Sequence, residues 1–515
     1  MNAKVRRQLR NRKRRMQRRI DKNNVCGQET PMIDPASVKY ELAEKQQAIA
    51  CGGIGNILEL AKQLDLRKQI NHAIPLLKFH APYDEADHVL NIALNLLSGG
   101  TCLEHLELRR TDEAYLNAVG AQRIPDPTTA GDFCRRFDLA NILSLMQAFN
   151  RVRQNVWQQQ PDEFFDKAII EADGSMVETT GERKEGIGMN YKKQWGYHPL
   201  IVSLANTNEQ LFIANRSGNR PSHEHSAFYF DLAIDHCRNA GFRKIVLRGD
   251  TDFALTENFD RWDDDGVKFV FGYDAKPNLV NIAESLDESA WKPLRRRNKK
   301  KSKTSETRRR KPNYKERVVV AKGYKNKKLQ GEEIAEFEYQ PTKCDRSYRM
   351  TVVRKDIEVS EGEQQELFHE TVYFFYVTNE SKKEMPTRQV VFEANDRCDQ
   401  ENLISHHKAS GALTAPLDTL ESNWAYMVIA SLAWSLKQWT GLVIKPEGRK
   451  EQKAKQQKTK RRIIRMEFRT FCQTLIQIPA QIIRRARQTV YRLLTYRESL
   501  DDLFMLRESI RCFRY

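Results

Sequence analysis

Three carboxylates stand where acids are costly. The run Lys167-Ala168-Ile169-Ile170-Glu171-Ala172-Asp173-Gly174-Ser175 is a short apolar strand that ends in an acid and a turn-prone Gly-Ser pair. Lys244-Ile245-Val246-Leu247-Arg248-Gly249-Asp250 repeats the pattern, with Asp252 two residues on. An unpaired buried carboxylate costs several kcal/mol or takes up a proton, so each needs a compensating cation. Backbone N–H groups capping an acid at a strand end are the plainer reading. The third acid is Glu401, within Arg397-Cys398-Asp399-Gln400-Glu401 and on to Lys408. At about 100° per residue, Arg397, Glu401 and Lys408 fall within roughly 40° of one another on a helix. Ile404 shares that stripe as a packing contact. Cation, carboxylate and cation in line make a face suited to a metal and a phosphate backbone.

The bulk composition narrows the partner. The 515 residues suffice for two to four domains, and a net charge of +18 points to a polyanion. RNA binding of the ribosomal kind or attraction to a membrane surface would give the same balance, but here the charge is clustered. Nine cysteines without a Cys-x-x-Cys pair argue against a zinc ribbon or a disulfide framework and fit a reducing compartment. No apolar region follows the charged N-terminus, as a secretory signal would require. The near-uncharged run from Trp424 to Leu436 is too short to span a bilayer and reads as a buried helix.

Around these acids the elements follow in order. Residues 1–22, with Arg14 and Arg15 in a nearly unbroken Arg/Lys block, read as an arm that is unpacked in the free chain and orders on a phosphate backbone. Apolar stripes at Ile54–Leu64 and Val89–Leu97 are helical, the second stopped by Gly99-Gly100. Pro125 to Phe137 reads as a turn, a Thr N-cap and a short helix carrying Arg135 and Arg136. It is either a groove-entering element or an ordinary capped helix. Residues 165–275 alternate as three strands, helix, strand, helix, strand: a mixed sheet with an antiparallel edge region. Ser222-His223-Glu224-His225 reads as a helix N-terminus rather than a metal site. A basic loop through Arg296 and Arg309 leads into strand-like runs at 317–321, 335–339, 348–353 and 371–377. Phe468–Leu494 reads as an amphipathic helix, interrupted at Pro479, with Phe468, Phe471, Leu475, Ile478, Ile482, Ile483 and Val490 on one side. Such a stripe needs a partner surface, either on a second copy or on the same chain.

Asp173, Asp250 and Glu401 in that order, with a β insertion before the Glu, resemble the catalytic acids of DDE transposases from bacterial insertion sequences. Arg397, Glu401 and Lys408 match the R-(3)-E-(6)-K part of the Y-(2)-R-(3)-E-(6)-K signature; its Tyr position holds Ala394. The resemblance implies an α/β, RNase H-like mixed sheet flanked by helices, with a β-rich insertion and an N-terminal all-α domain. The expected parts are a basic arm (1–30), a helical DNA-binding domain (31–150), a catalytic domain (151–285 and 386–445), a β-rich insertion with its basic loop (286–385), and a basic linker with a helical tail (446–515). Asp173, Asp250 and Glu401 would be catalytic and would hold two Mg²⁺ or Mn²⁺ ions, the hard oxygen ligands suiting either. Arg397, Lys408, Arg14, Arg15, Arg135, Arg136, Arg296 and Arg309 would contact DNA, with Asp252 capping the helix after Asp250. The implied function is cut-and-paste transposition: binding of the element's terminal inverted repeats, strand cleavage, and transfer into double-stranded target DNA. A homodimer would act on paired ends in the bacterial cytoplasm, at the nucleoid, with no membrane partner. An RNase H-like nuclease without strand transfer, or an idle DNA-binding derivative, remains the alternative.

Overall fold

The structure is a computed structural model that describes residues 3–22, 40–41, 46–295, 326–361, 366–485 and 488–513. The basic loop with Arg296 and Arg309, and the strand expected at 317–321, lie outside the described residues.

One nine-stranded sheet organises the chain. Its strands, numbered in chain order, are β1 (Lys167–Gly174), β2 (Leu200–Leu204), β3 (Glu209–Ala214), β4 (Lys244–Gly249), β5 (Lys268–Tyr273), β6 (Lys292–Pro293), β7 (Asn326–Tyr339), β8 (Tyr348–Glu361) and β9 (Glu366–Thr378). Their spatial order is β6-β7-β8-β9-β5-β4-β1-β2-β3. β1 pairs antiparallel with β2 and parallel with β4, and β4 pairs parallel with β5. This is the mixed sheet with an antiparallel edge region that the strand pattern implied. Ala168, Ile170 and Ala172, alternate residues on one face of β1, are fully buried, and on the other face Glu171 is buried as well. The β-rich insertion does not stand apart. β9 pairs antiparallel with β5, Phe375 opposite Tyr273, so the three long strands β7–β9 continue the same sheet.

The helix Leu420–Leu442 extends the expected buried run in both directions, and every residue from Ser422 to Leu442 is buried, Lys437 among them. Thr419 caps it reciprocally with Ser422. It is joined to the edge strand β3 by indole hydrogen bonds. Trp424 donates to the Ile213 carbonyl (2.5 Å) and Trp439 to Glu209 Oε1 (2.9 Å). The helices Glu85–Leu97 and Leu139–Trp157 pack on it as well, so a single core cluster runs from Ile49 to Phe513. The boundary expected at 150 falls inside the Leu139–Trp157 helix.

Several local expectations give way to long-range pairing. Phe468–Leu494 is not a helix. A four-residue helical turn and a wide turn end at Ile476, and a hairpin of Ala480–Arg485 and Gln488–Leu493 follows. Pro479 cannot donate to a helix ladder, and the β-branched Ile482, Ile483, Thr489 and Val490 suit strands. Ala48–Ile49 adds a third strand, Ala48 opposite Gln481. Phe468, Phe471, Leu475, Ile478 and Ile482 are buried inside this same chain, whereas Ile483 is half-buried and Val490 is exposed, so most of that stripe is satisfied within one copy. The N-terminal block is also packed. It forms a helix, Ala3–Lys22, whose Val5, Leu9 and Arg12 recur at helical spacing and line one cavity with Tyr491, Leu493, Leu500 and Phe504. Arg12 donates to the carbonyls of Leu493 (2.7 Å) and Thr495 (3.1 Å). Asp126, not a Thr, caps the Pro127–Cys134 helix, and the His223-Glu224-His225 turn leads into the helix Ser226–Ala240. Among the described residues no helix is long and apolar enough to cross a membrane.

One ion pair in the core has almost no solvent contact on either side: Arg153 Nε lies 3.1 Å from Glu209 Oε1, with 1% and 0% of the two side chains exposed, and a second buried pair lies at the acid-bearing strands. Trp157 donates to the other carboxylate oxygen at 2.9 Å. Removing one partner of such a pair strands a buried charge, so Arg153→Ala should cost about 3–5 kcal/mol, while Arg153→Met combined with Glu209→Leu should recover most of it. Urea unfolding of the three proteins measures this, and equal midpoints for the wild type and Arg153→Ala would refute it.

Candidate active site

The register of β1 and β4 places the first two acids. Glu171 is opposite Arg248 in the parallel pair, and their side chains meet at 2.6 Å, almost wholly buried. Side chains alternate along a strand, so the residues two further on, Asp173 and Asp250, emerge on the same face at the carboxyl ends of both strands. Asp173 is opposite Ile201 of β2, whereas Asp250 begins the turn after β4 and accepts the N–H of Asp252 at 3.1 Å. The capping acid is therefore Asp250 itself; Asp252 lies within the turn.

Arg397 closes the space between them. Its guanidinium stands 3.5 Å from Asp250 Oδ2 and 3.9 Å from Asp173 Oδ2. Arg397 is not on the helix face with Glu401. The helix is Cys398–Ser410, and Arg397 precedes it as the N-cap, so only Glu401 and Lys408 share its surface. Its Nε is buried without a hydrogen-bond partner among the described residues. Arg397 thus faces the carboxylates in this structure, where a DNA contact was expected. Glu401 is exposed in the first turn of that helix, and Lys408 occupies the last turn. Ile404 is buried between them, as expected.

Two residues that carried no role in the sequence reading hold this arrangement. Gln400 is buried; it donates to the Ile201 carbonyl (3.0 Å) and accepts from the Ser203 hydroxyl, which fastens the first helical turn to the strand beside Asp173. Arg248 donates to the Glu393 carbonyl (3.0 Å) and lies 3.3 Å from its carboxylate, tying β4 to the Thr387–Asn395 helix just before Arg397. The only sequence signal was a charged pair inside otherwise apolar strands. Ala394 packs with Val270, Met385 and Val390, and Asn395 beside it donates to the Tyr376 hydroxyl at 3.1 Å.

The electrostatics are those of a site short of positive charge. Burial, then the charge of Asp250, pushes the Asp173 carboxyl up to about 7 against the pull of Arg397, with Glu401 adding a smaller rise. Burial also raises Asp250, Arg397 opposing. Partial burial lowers Lys408, opposed by Glu178 and Asp173. Asp173 and Asp250 present hard oxygen donors on neighbouring strands, and their unmet charge fits a divalent cation. Glu401 comes close enough to be felt by Asp173, yet among the described residues no three acids, histidines or cysteines close on a metal-sized centre.

The other expected DNA contacts lie elsewhere. Arg14 and Arg15 are exposed on the N-terminal helix. Arg135 spends its charge on Asp418 (2.8 Å) and Asp132 (2.8 Å), while Arg136 is exposed.

No curated protein matches this chain. Among solved structures, a piggyBac transposase in a synaptic complex with hairpin DNA is similar at a TM-score of 0.35 and 8% identity, over 87% of this chain and 90% of that one, too distant to guide any assignment here. The description of the transposase DDE domain, group 1, matches residues 46–511, a span that contains both strand acids, Arg397 and Glu401, and the chain belongs to that family.

Proposed function

We propose that the chain is the transposase of a bacterial insertion sequence, binding the element's terminal inverted repeats and carrying out cleavage and strand transfer of the cut-and-paste kind. The observation that supports this most is the convergence of Asp173 and Asp250 from adjacent parallel strands on one guanidinium, with Glu401 on the helix whose first turn Gln400 fastens to the neighbouring strand. Asp173, Asp250 and Glu401 would hold two Mg²⁺ or Mn²⁺ ions. When bound, such ions lower the pKa of a water or a 3′-hydroxyl and neutralise the leaving oxygen in an in-line displacement at phosphorus. The chain's own residues do the positioning. Glu171 and Arg248 fix the two strand ends, Arg397 balances the carboxylate pair, and Lys408 offers a cation to the phosphate backbone at the helix's far end. Joining two ends calls for two copies of the chain.

The test uses DNA carrying the sequences that flank the reading frame, with Mg²⁺ and a supercoiled target. Wild type should cut and join, and Asp173→Ala, Asp250→Ala or Glu401→Ala should each lower both steps by at least about 10²-fold. End binding by these variants should stay within about twofold, because the backbone contacts are elsewhere. Cutting without joining would favour the nuclease reading, and full activity of Glu401→Ala would remove it from the metal set.

A pH effect follows from Asp173. Its folded value of about 7 lies above its ordinary 3.8, so the folded chain holds a proton that the unfolded chain releases between those values. The stability this proton supplies is fully present below about 3.8 and is lost as pH rises through about 7. Asp173→Asn stays neutral throughout. Without metal it should melt higher than wild type at pH 8 and equally at pH 4, and saturating Mn²⁺ should raise only the wild type. A melting difference that does not change with pH would sink the assignment.

A further inference from the structure

Beyond Asp173 the chain does not return at once to the sheet. Gly174 to Met176 lead into a small separate sheet of Val177–Glu178, Gly188–Met189 and Trp195–Tyr197. Its base is clamped to the catalytic body. Tyr197 donates to the Glu185 carbonyl at 2.6 Å, the Glu185 N–H donates to the Asp418 carbonyl at 2.7 Å, and Lys184 donates to the carbonyls of Ala415 and of Leu417, the latter at 2.6 Å.

The tip is as well built as the base, and it carries exposed rings. Asn190 Oδ1 accepts the N–H groups of Lys192 and Gln194, each at 2.9 Å, and Gln194 donates to Glu178 at 2.6 Å. This held turn displays Met189, Tyr191 and Trp195 at 42%, 89% and 46% exposure. Met189 and Trp195 are direct cross-strand partners, so their side chains share one face. Nothing in the described residues covers them. A rigid turn that holds rings in water loses burial energy for no structural return, which marks a binding surface.

The flanking charge selects the occupant. Lys192 and Lys193 are exposed beside the rings, with the Lys192 ammonium 5.3 Å from the Tyr191 ring centroid, and neither has an acidic partner among the described ion pairs. Lysine is depleted from the cores of protein–protein interfaces, whereas rings interleaved with cations are what unstacked nucleic acid meets. Reach agrees. The Trp195 carbonyl accepts the N–H of Thr179, six residues after Asp173, so at most about 20 Å of extended chain separates tip and acid. At about 3.4 Å per nucleotide that is a span of roughly six nucleotides.

We propose that Met189, Tyr191 and Trp195, held on this hairpin beside the acid site, form a stacking platform for unpaired bases of the DNA strand being cut, with Lys192 and Lys193 on its backbone. This rests on the transposase reading. The platform keeps the strand open next to the scissile phosphate, and it is a positioning device rather than part of the chemistry.

The test compares a 40-base-pair duplex with the same duplex carrying a three-nucleotide single-stranded gap, each binding the full-length protein without metal. Wild type should prefer the gapped form. Trp195→Ala and Tyr191→Ala should each weaken gapped binding by about 5- to 100-fold, the range of a lost base–ring stack, and leave paired-duplex binding within twofold. Trp195→Phe should restore most of the loss, and unchanged duplex affinity certifies that the variants fold. With 2-aminopurine in the strand opposite the gap, wild type should quench the fluorescence and Trp195→Ala should not. Equal losses on both DNAs, or none on either, would overturn the platform while leaving the transposase reading intact. A wild type that binds neither DNA would bring both down. A shift in oligomeric state by Trp195→Ala, with gapped binding unchanged, would make the patch a protein interface and end the proposal.

Discussion

The buried contact between Glu171 and Arg248 is the constraint on which the site depends. Two charges with almost no solvent contact are tolerable only if their geometry is good, and losing either is expensive. Their 2.6 Å contact locks the parallel register of β1 and β4. Because strand side chains repeat every two residues, that register also determines where Asp173 and Asp250 stand. Slipping the pair by one residue would turn one acid to the opposite face of the sheet. Arg248 reaches on to Glu393, so the same charge that aligns the strands also seats the segment that delivers Arg397.

What this framework holds is electrostatically costly. Burial and mutual repulsion raise both strand carboxyls, and one guanidinium at 3.5–3.9 Å does not offset this. Sites of this kind are retained where a ligand makes up the deficit. The rest of the molecule supplies stiffness around the strain. The long insertion strands add to the acid-bearing sheet, and the Leu420–Leu442 helix binds the sheet's other edge to the N-terminal helices. The acids therefore sit near the middle of one continuous packed body, where small displacements of the strand ends are resisted by core packing on both sides.

The basic segments divide by what they touch. The N-terminal helix lies its Val5, Leu9 and Arg12 side on the C-terminal hairpin and final helix, and exposes Arg14 and Arg15. Its charge is thus presented from a fixed surface. Arg135, by contrast, is absorbed by Asp418 at the corner that also anchors the small sheet after Asp173. Sequence counts both only as cations expected on DNA, while the structure separates a solvent-facing cation from a stitching one.

Local pattern alone was enough for the acid-bearing strands, the buried helix and the α/β order, because apolar runs with period two or with no polar face leave few other conformations. It also brought Asp173, Asp250 and Glu401 out as acids in matching settings. It misplaced Arg397, since counting 100° per residue assumes a helix that begins only at Cys398. It did not assign Gln400 or Arg248, whose partners are 199 and 77 residues away in the chain. It made a helix of 468–494, where Pro479 and pairing with Ala48–Ile49 impose a hairpin, and it left the N-terminal block unpacked although Val5, Leu9 and Arg12 recur at helical spacing. Element type is set by residues a few positions apart and is legible in the chain. Which charge meets which, and which stripe finds a partner, is decided by contacts between distant segments, whose energies exist only once the sheet has closed.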